Sequence, residues 1–130
     1  MLVTCRVVGK IKEFTTDGKL IRAISLQSDV VHPRHTVELT TDKFTVCHGV
    51  GNDLRHSVCI VDSSGHVLQS YGGSRGSRRG RLNVPLRLAV IAGLILVADC
   101  VNHRVLMLSE SLSYIREVGS GLRDPLRNVV

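Results

Sequence analysis

Ile11-Lys12-Glu13-Phe14-Thr15-Thr16-Asp17-Gly18-Lys19-Leu20-Ile21-Arg22-Ala23-Ile24 returns in outline as Val58-Cys59-Ile60-Val61-Asp62-Ser63-Ser64-Gly65-His66-Val67-Leu68-Gln69-Ser70-Tyr71. It returns again as Val105-Leu106-Met107-Leu108-Ser109-Glu110-Ser111-Leu112-Ser113-Tyr114-Ile115-Arg116-Glu117-Val118, and both steps are 47 residues. In each copy a short apolar alternation runs into a turn and a second alternation runs out. Asp17-Gly18 and Ser64-Gly65 permit the positive φ of a tight hairpin, so each copy predicts two antiparallel strands. The third copy has Leu112 where the others have glycine, which predicts a turn of a different type. Strand pairs recurring at such a period are the mark of a β-propeller or a similar array.

Two further strand candidates precede each of the later copies: Thr36 to Thr40 with Phe44 to His48, and Leu86 to Ile91 with Leu94 to Asp99. Four strands per unit is the content of one propeller blade. Pro33, Pro85 and Pro125 each precede a first strand, where a missing N–H does no harm to the ladder. Pro85-Leu86-Arg87-Leu88-Ala89-Val90 recurs as Pro125-Leu126-Arg127-Asn128-Val129-Val130, while Val3-Thr4-Cys5 falls where Val97-Ala98-Asp99 lies in the third copy. The expected fold class is therefore all-β, a partial propeller of about two whole four-stranded blades plus partial ones. Its expected parts are a partial blade over 1–32, blades over 33–84 and 85–124, and the start of another over 125–130. Closure removes exposed strand edges and takes 4 to 8 blades. The sequence thus predicts a region that needs further blades, from a longer chain or from self-association. A compact β-sandwich of the same strands is the structural alternative.

The 130 residues are 43% apolar but only 3% aromatic, with no tryptophan, so the core must rest on Val, Leu and Ile. Lys and Arg number 17 against 11 Asp and Glu, which favours an anionic partner. Cys5, Cys47, Cys59 and Cys100 have no paired C-x-x-C spacing and read as reduced, largely buried thiols of a cytoplasmic protein. The most apolar stretch, Leu88 to Ala98, contains Gly93 and is too short to span a membrane, so it reads as two buried strands around a turn.

The third unit joins Pro85, Leu88-Ala89-Val90, Gly93, Ile95-Leu96-Val97-Ala98-Asp99, Asn102-His103-Arg104-Val105 and Ser113-Tyr114-Ile115. This pattern resembles the NHL repeat, the blade of propellers found in tripartite-motif ubiquitin ligases and related proteins. The second unit matches more loosely, with Phe44-Thr45-Val46-Cys47-His48 in place of the Val-Ala-Asp strand and His56-Ser57-Val58 in place of His-Arg-Val. The first keeps only its last strands. The resemblance implies a non-catalytic binding module, a protein-interaction scaffold such as the substrate-selecting propeller of a RING-type ligase. Single-stranded RNA binding on a basic propeller face is the alternative it implies.

The candidate partner-binding residues are Arg75, Arg78, Arg79 and Arg81, with Asn102, His103 and Arg104. The four arginines stand among glycines and serines in a loop expected to be mobile and able to fork onto phosphates or carboxylates. Only Tyr71 lies near them as an aromatic platform, which weakens the RNA reading. A structural reading competes for Asp99, Asn102 and Arg104, in which Asp99 and Asn102 accept backbone N–H groups to hold the turn and Arg104 pairs with a carboxylate. Cys47, His48, His56 and Cys59 invite a zinc reading, but adjacent Cys47 and His48 would point to opposite faces of a strand. No metal or cofactor is expected. His32 and His35, flanking Pro33-Arg34, are expected at a blade joint. No Ser-His-Asp order, G-x-S-x-G or phosphate loop supports catalysis.

Overall fold

The computed structural model describes residues 1–50, 52–53, 55–73, 76–77 and 80–118. Eleven strands form three antiparallel sheets. Sheet 1 is β1 (Leu2–Cys5), β2 (Lys10–Phe14) and β3 (Leu20–Ser25). Sheet 2 is β4 (Pro33–Thr40), β5 (Lys43–His48), β6 (His56–Asp62) and β7 (Val67–Gly73). Sheet 3 is β8 (Pro85–Ile91), β9 (Leu94–Asp99), β10 (Arg104–Ser109) and β11 (Tyr114–Val118). Each is a meander in which sequence neighbours pair. Pro33 and Pro85 open first strands as expected, whereas the stub expected at 125–130 lies outside the described residues. Among those residues no helix is long and apolar enough to cross a membrane.

The repeat is kept down to its irregularities. The register slips between Glu13 and Phe14, between Ile60 and Val61, and between Met107 and Leu108, one repeat position in three sheets. Such a bulge bends the strand and raises its twist, so each final hairpin turns away in the same sense. The three outer turns are also alike. Gly18, Gly65 and Leu112 all have positive φ, at 88°, 84° and 61°. Their N–H groups donate to the carbonyls of Thr15, Asp62 and Ser109 in turn. The different turn expected at Leu112 is therefore not formed. Leucine adopts the left-handed conformation there, and its side chain, only 5% exposed, lies in the core, which offsets the steric penalty of about 1–2 kcal/mol.

The sheets pack face to face in chain order. Ile11 and Ile24 of sheet 1 meet Phe44, Val46, Cys59 and Val61 of sheet 2. The other face of sheet 2, with Cys47, Val58 and Ile60, meets Leu88, Ile95, Val97, Leu106 and Leu108 of sheet 3. Side chains alternate along a strand, so apolar residues on both parities put β5 and β6 under cover on both sides. Packing between sheets runs through first and second strands, β4 lying beside β1 and β8. At the rim of the first interface Arg22 pairs with Glu13 at 2.8 Å and Asp42 at 2.9 Å, with its guanidinium 5.3 Å from the Phe44 ring centre.

Candidate functional site

Antiparallel meanders sort the connections of sheets 2 and 3 to two ends. The tight hairpins at 41–42, 63–66, 92–93 and 110–113 stand at one end, with Asp42, Asp62 and Glu110. The other end carries the longer connections, the joints between sheets, and Arg34, Arg55, Arg81 and Arg87. The arginines of this end stand together with Asp53, Asp99 and Glu117, while Lys43 stands beside the 41–42 hairpin at the other. Of the residues singled out in the sequence, His32, His35, His48, His56, Arg81, Asn102, His103 and Arg104 fall at the arginine-bearing end.

Two histidines fasten the joint between sheets 2 and 3 there. His56, fully buried, accepts the Val84 N–H on Nδ1 at 2.8 Å, and His35 accepts the Leu88 N–H on Nδ1 at 2.9 Å. Both must be neutral at Nδ1 to accept. Burial, helped by the nearby Arg87 charge, holds the His35 imidazole below its ordinary pKa. The Leu88 N–H is available because β8 is the edge strand of sheet 3, so N–H groups that point away from β9 have no ladder partner. Val84, just before Pro85, has φ of 57°, a costly conformation for a β-branched residue, and its N–H bond to His56 holds it. His32 stands in the same place before Pro33, has φ of 47°, and meets Asp53 at 2.7 Å. The expectation that His32 and His35 belong to a joint matches their positions.

Between the starts of β4 and β8 lies a cleft of about 240 Å³ lined by Arg34, His35, Leu86 and Arg87. Two guanidinium groups frame it, and neither has an ion pair there among the described residues. Sequence reasoning missed this pair. The signal was present as Pro33-Arg34 and Pro85-Leu86-Arg87, an arginine just inside each first strand.

Around Asp99 the arrangement is built inward. The Asp99 side chain is fully buried and accepts from the Asn83 N–H at 2.6 Å, Asn102 Nδ2 at 2.7 Å and Arg104 Nε at 2.8 Å. Arg104 then donates from Nη1 to the Ser77 carbonyl at 2.9 Å and from Nη2 to the Arg81 carbonyl at 2.7 Å. Asn102 Nδ2 also donates to the Gly76 carbonyl at 2.7 Å, and the Gly80 N–H donates to Tyr71 Oη at 3.0 Å. Asn102 thus serves as a donor here, where an acceptor was expected. Of the four candidate loop arginines, Arg75, Arg78 and Arg79 lie outside the described residues, while the Arg81 side chain is exposed. Among the described residues of this segment, Gly76, Ser77, Gly80 and Arg81 each take part in one of these bonds through the backbone. His103 is exposed with φ of 50°.

Cys47 and Cys59 face opposite cores, and burial pushes both thiols up to about 12. His48 is 3% exposed, and burial pushes its imidazole down to about 4, while its Nδ1 has no hydrogen-bond partner. With Cys47 and Cys59 on opposite faces and His56 Nδ1 already accepting from Val84, these four residues do not converge on one point. Among the described residues no cluster of three His, Cys, Asp or Glu side chains is placed to hold a metal ion.

No family model matches the chain, and no curated protein matches its sequence. Among solved structures it is similar to a protein of unknown function from Bacteroides caccae, at 16% identity and a TM-score of 0.41. That match covers 88% of this chain and 55% of the other.

Proposed function

We propose that the chain is a binding module of the β-propeller type, similar to NHL propellers, that docks an acidic protein segment at its arginine-bearing end. The observation that carries this reading is the Arg34–Arg87 cleft at the starts of two neighbouring first strands, with Arg55 and Arg81 at the same end. Guanidinium forks match carboxylates in paired geometry, and unneutralised charge at a cleft steers an acidic partner on approach. The three stacked meanders, their shared bulge and the crowding of β1, β4 and β8 support the propeller architecture. The mechanism is surface complementarity with no chemical step. In a longer protein bearing a RING domain, such a module would select the substrate for ubiquitin transfer.

Fluorescence anisotropy with a short Glu-rich peptide, repeated across a salt series, tests the reading. The expected result is binding that weakens about tenfold or more in Arg34→Gln/Arg87→Gln, since each lost charge-assisted contact is worth about 1.5–3 kcal/mol. Oligouridine is the comparison probe. Tighter binding to oligouridine, with a steep salt slope, would overturn peptide docking in favour of single-stranded RNA.

A further inference from the structure

The Arg34–Arg87 cleft is made from one pattern used twice. The β4–β5 register skips Arg34 and the β8–β9 register skips Leu86, each the residue after the proline that opens its strand. The lining is therefore two equivalent pairs, Arg34-His35 from sheet 2 and Leu86-Arg87 from sheet 3. A slip in register bends a strand and re-aims the side chain beside it, and the two slips meet at one cleft because β4 lies beside β8. Arginine takes the first position of one pair and the second of the other, so each sheet contributes one guanidinium.

Every polar side chain lining this cleft is a donor. A guanidinium carries five N–H groups and no acceptor. His35 Nδ1 accepts the Leu88 N–H at 2.9 Å, which leaves the proton of the neutral ring on Nε2, and Nε2 has no hydrogen-bond partner among the described residues. No carboxylate lines the cleft. The contrast is with the cleft of about 410 Å³ at the same end, where Asp29 and Asp53 stand beside Arg55 and the site carries both signs. Three donor groups with no acceptor among them select a ligand that is anionic and accepts on several oxygens.

Size and valence narrow the class. The cleft holds about 240 Å³, below the roughly 300–1,000 Å³ of a small-molecule site, so it suits one headgroup at the end of a side chain. A carboxylate has two oxygens and matches one guanidinium fork. A phosphate monoester carries about −1.5 to −2 charge at neutral pH and three acceptor oxygens, which matches two guanidinium groups and one imidazole N–H. Leu86 is the one apolar residue of the lining, enough for a methylene or methyl group and too little for an aromatic ring.

Resting on the docking reading above, we propose that the Arg34–Arg87 cleft is a phosphoryl subsite that receives a phosphorylated serine or threonine of an acidic protein segment. Arg34 and Arg87 grip the phosphoryl oxygens from the two sheets, and His35 Nε2 donates to the remaining one. The His35 bond to the Leu88 N–H ties β4 to β8 and so holds the two guanidinium groups at a set spacing. Acidic residues flanking the phosphorylated one are steered by Arg55 and Arg81 at the same end.

Fluorescence anisotropy on the full chain tests this with three labelled acidic peptides that differ only in a central serine, glutamate or phosphoserine. The phosphoserine peptide is expected to bind about tenfold or more tightly than the glutamate one, and inorganic phosphate to compete with it. Arg34→Lys/Arg87→Lys keeps both charges but loses both forks, and is expected to erase the phosphoserine preference while glutamate-peptide binding changes by no more than about threefold. Arg116→Gln, an exposed arginine on β11, is expected to leave the preference intact. Circular dichroism and urea midpoints report that each variant is folded. Equal affinity for the phosphoserine and glutamate peptides would overturn the subsite and leave acidic docking standing. A preference that survives in the double Lys variant would also overturn it, because the phosphoryl group would then bind elsewhere. Binding of the phosphoserine peptide alone would keep the subsite and sink the docking of unmodified acidic segments. Displacement of the phosphoserine peptide by oligouridine at lower concentration than by the unlabelled phosphoserine peptide would overturn it in favour of an RNA backbone.

Discussion

Replacing Asp99 by alanine removes the acceptor of three hydrogen bonds at once, from the Asn83 N–H, Asn102 Nδ2 and Arg104 Nε. The Arg104 side chain is 13% exposed and has a second carboxylate, Glu117, only at 3.6 Å. Removing one partner of a buried ion pair leaves a charge without its counterion and is worth about 3–5 kcal/mol of stability. Against a usual domain stability of about 5–15 kcal/mol, Asp99→Ala remains measurable yet severe. With a urea dependence of roughly 2 kcal/mol per molar, the unfolding midpoint should fall by about 2 M. Arg104→Met should lose a similar amount, and the double variant should lose less than the two singles together by at least about 1 kcal/mol, because they share one interaction. Asp99→Asn keeps the shape and one acceptor oxygen, and should fall between wild type and Asp99→Ala. An Asp99→Ala loss below about 1 kcal/mol, or strict additivity, would refute the account of Asp99 as the anchor of the 76–81 connection.

Leu112→Gly should lose about 2–4 kcal/mol in urea unfolding, because the lost core contact outweighs about 1 kcal/mol of relieved left-handed strain; a gain in stability would contradict this. Gly65→Ala should cost more than Gly18→Ala by about 1–3 kcal/mol, since a Cβ at Gly65 collides with the Ser25 carbonyl while at Gly18 it meets nothing. Equal losses in the same assay would remove Gly65 from the joint between sheets 1 and 2. The His48 imidazole lies below its unfolded value of about 6.5, so its contribution is complete above pH 6.5 and drains away as pH falls to about 4. The expected loss across that window is about 3 kcal/mol, with the lowered His35 adding to it, and unfolding midpoints unchanged from pH 7 to 4.5 would exclude it.

The strands and their order were legible because they rest on local pattern. Alternation around Asp-Gly and Ser-Gly marked the hairpins, and the match of Val3-Thr4-Cys5 to Val97-Ala98-Asp99 gave the register of β1, with Cys5 opposite Lys10 as Asp99 is opposite Arg104. Leu112 misled because propensity argues from the backbone alone, whereas burial of its side chain decides the turn. The cross-sheet bonds of His35 and His56 join residues 53 and 28 positions apart, a separation at which sequence pattern carries no geometric information. The inward use of Arg104 was half legible. Pairing with a carboxylate was foreseen, but its grip on the Ser77 and Arg81 carbonyls depends on where the 76–81 segment passes.

Sheet 2, covered on both sides, gives the stack an order of disassembly. Releasing sheet 1 bares Phe44, Val46, Cys59 and Val61 while the core toward sheet 3 stays intact, and releasing sheet 3 does the converse. Either outer layer can leave first, whereas β5 and β6 open only after both have gone. A substitution in an outer layer is felt across one boundary and one in sheet 2 across two, so tolerance to change should be lowest in the middle of the chain and rise toward both outer layers.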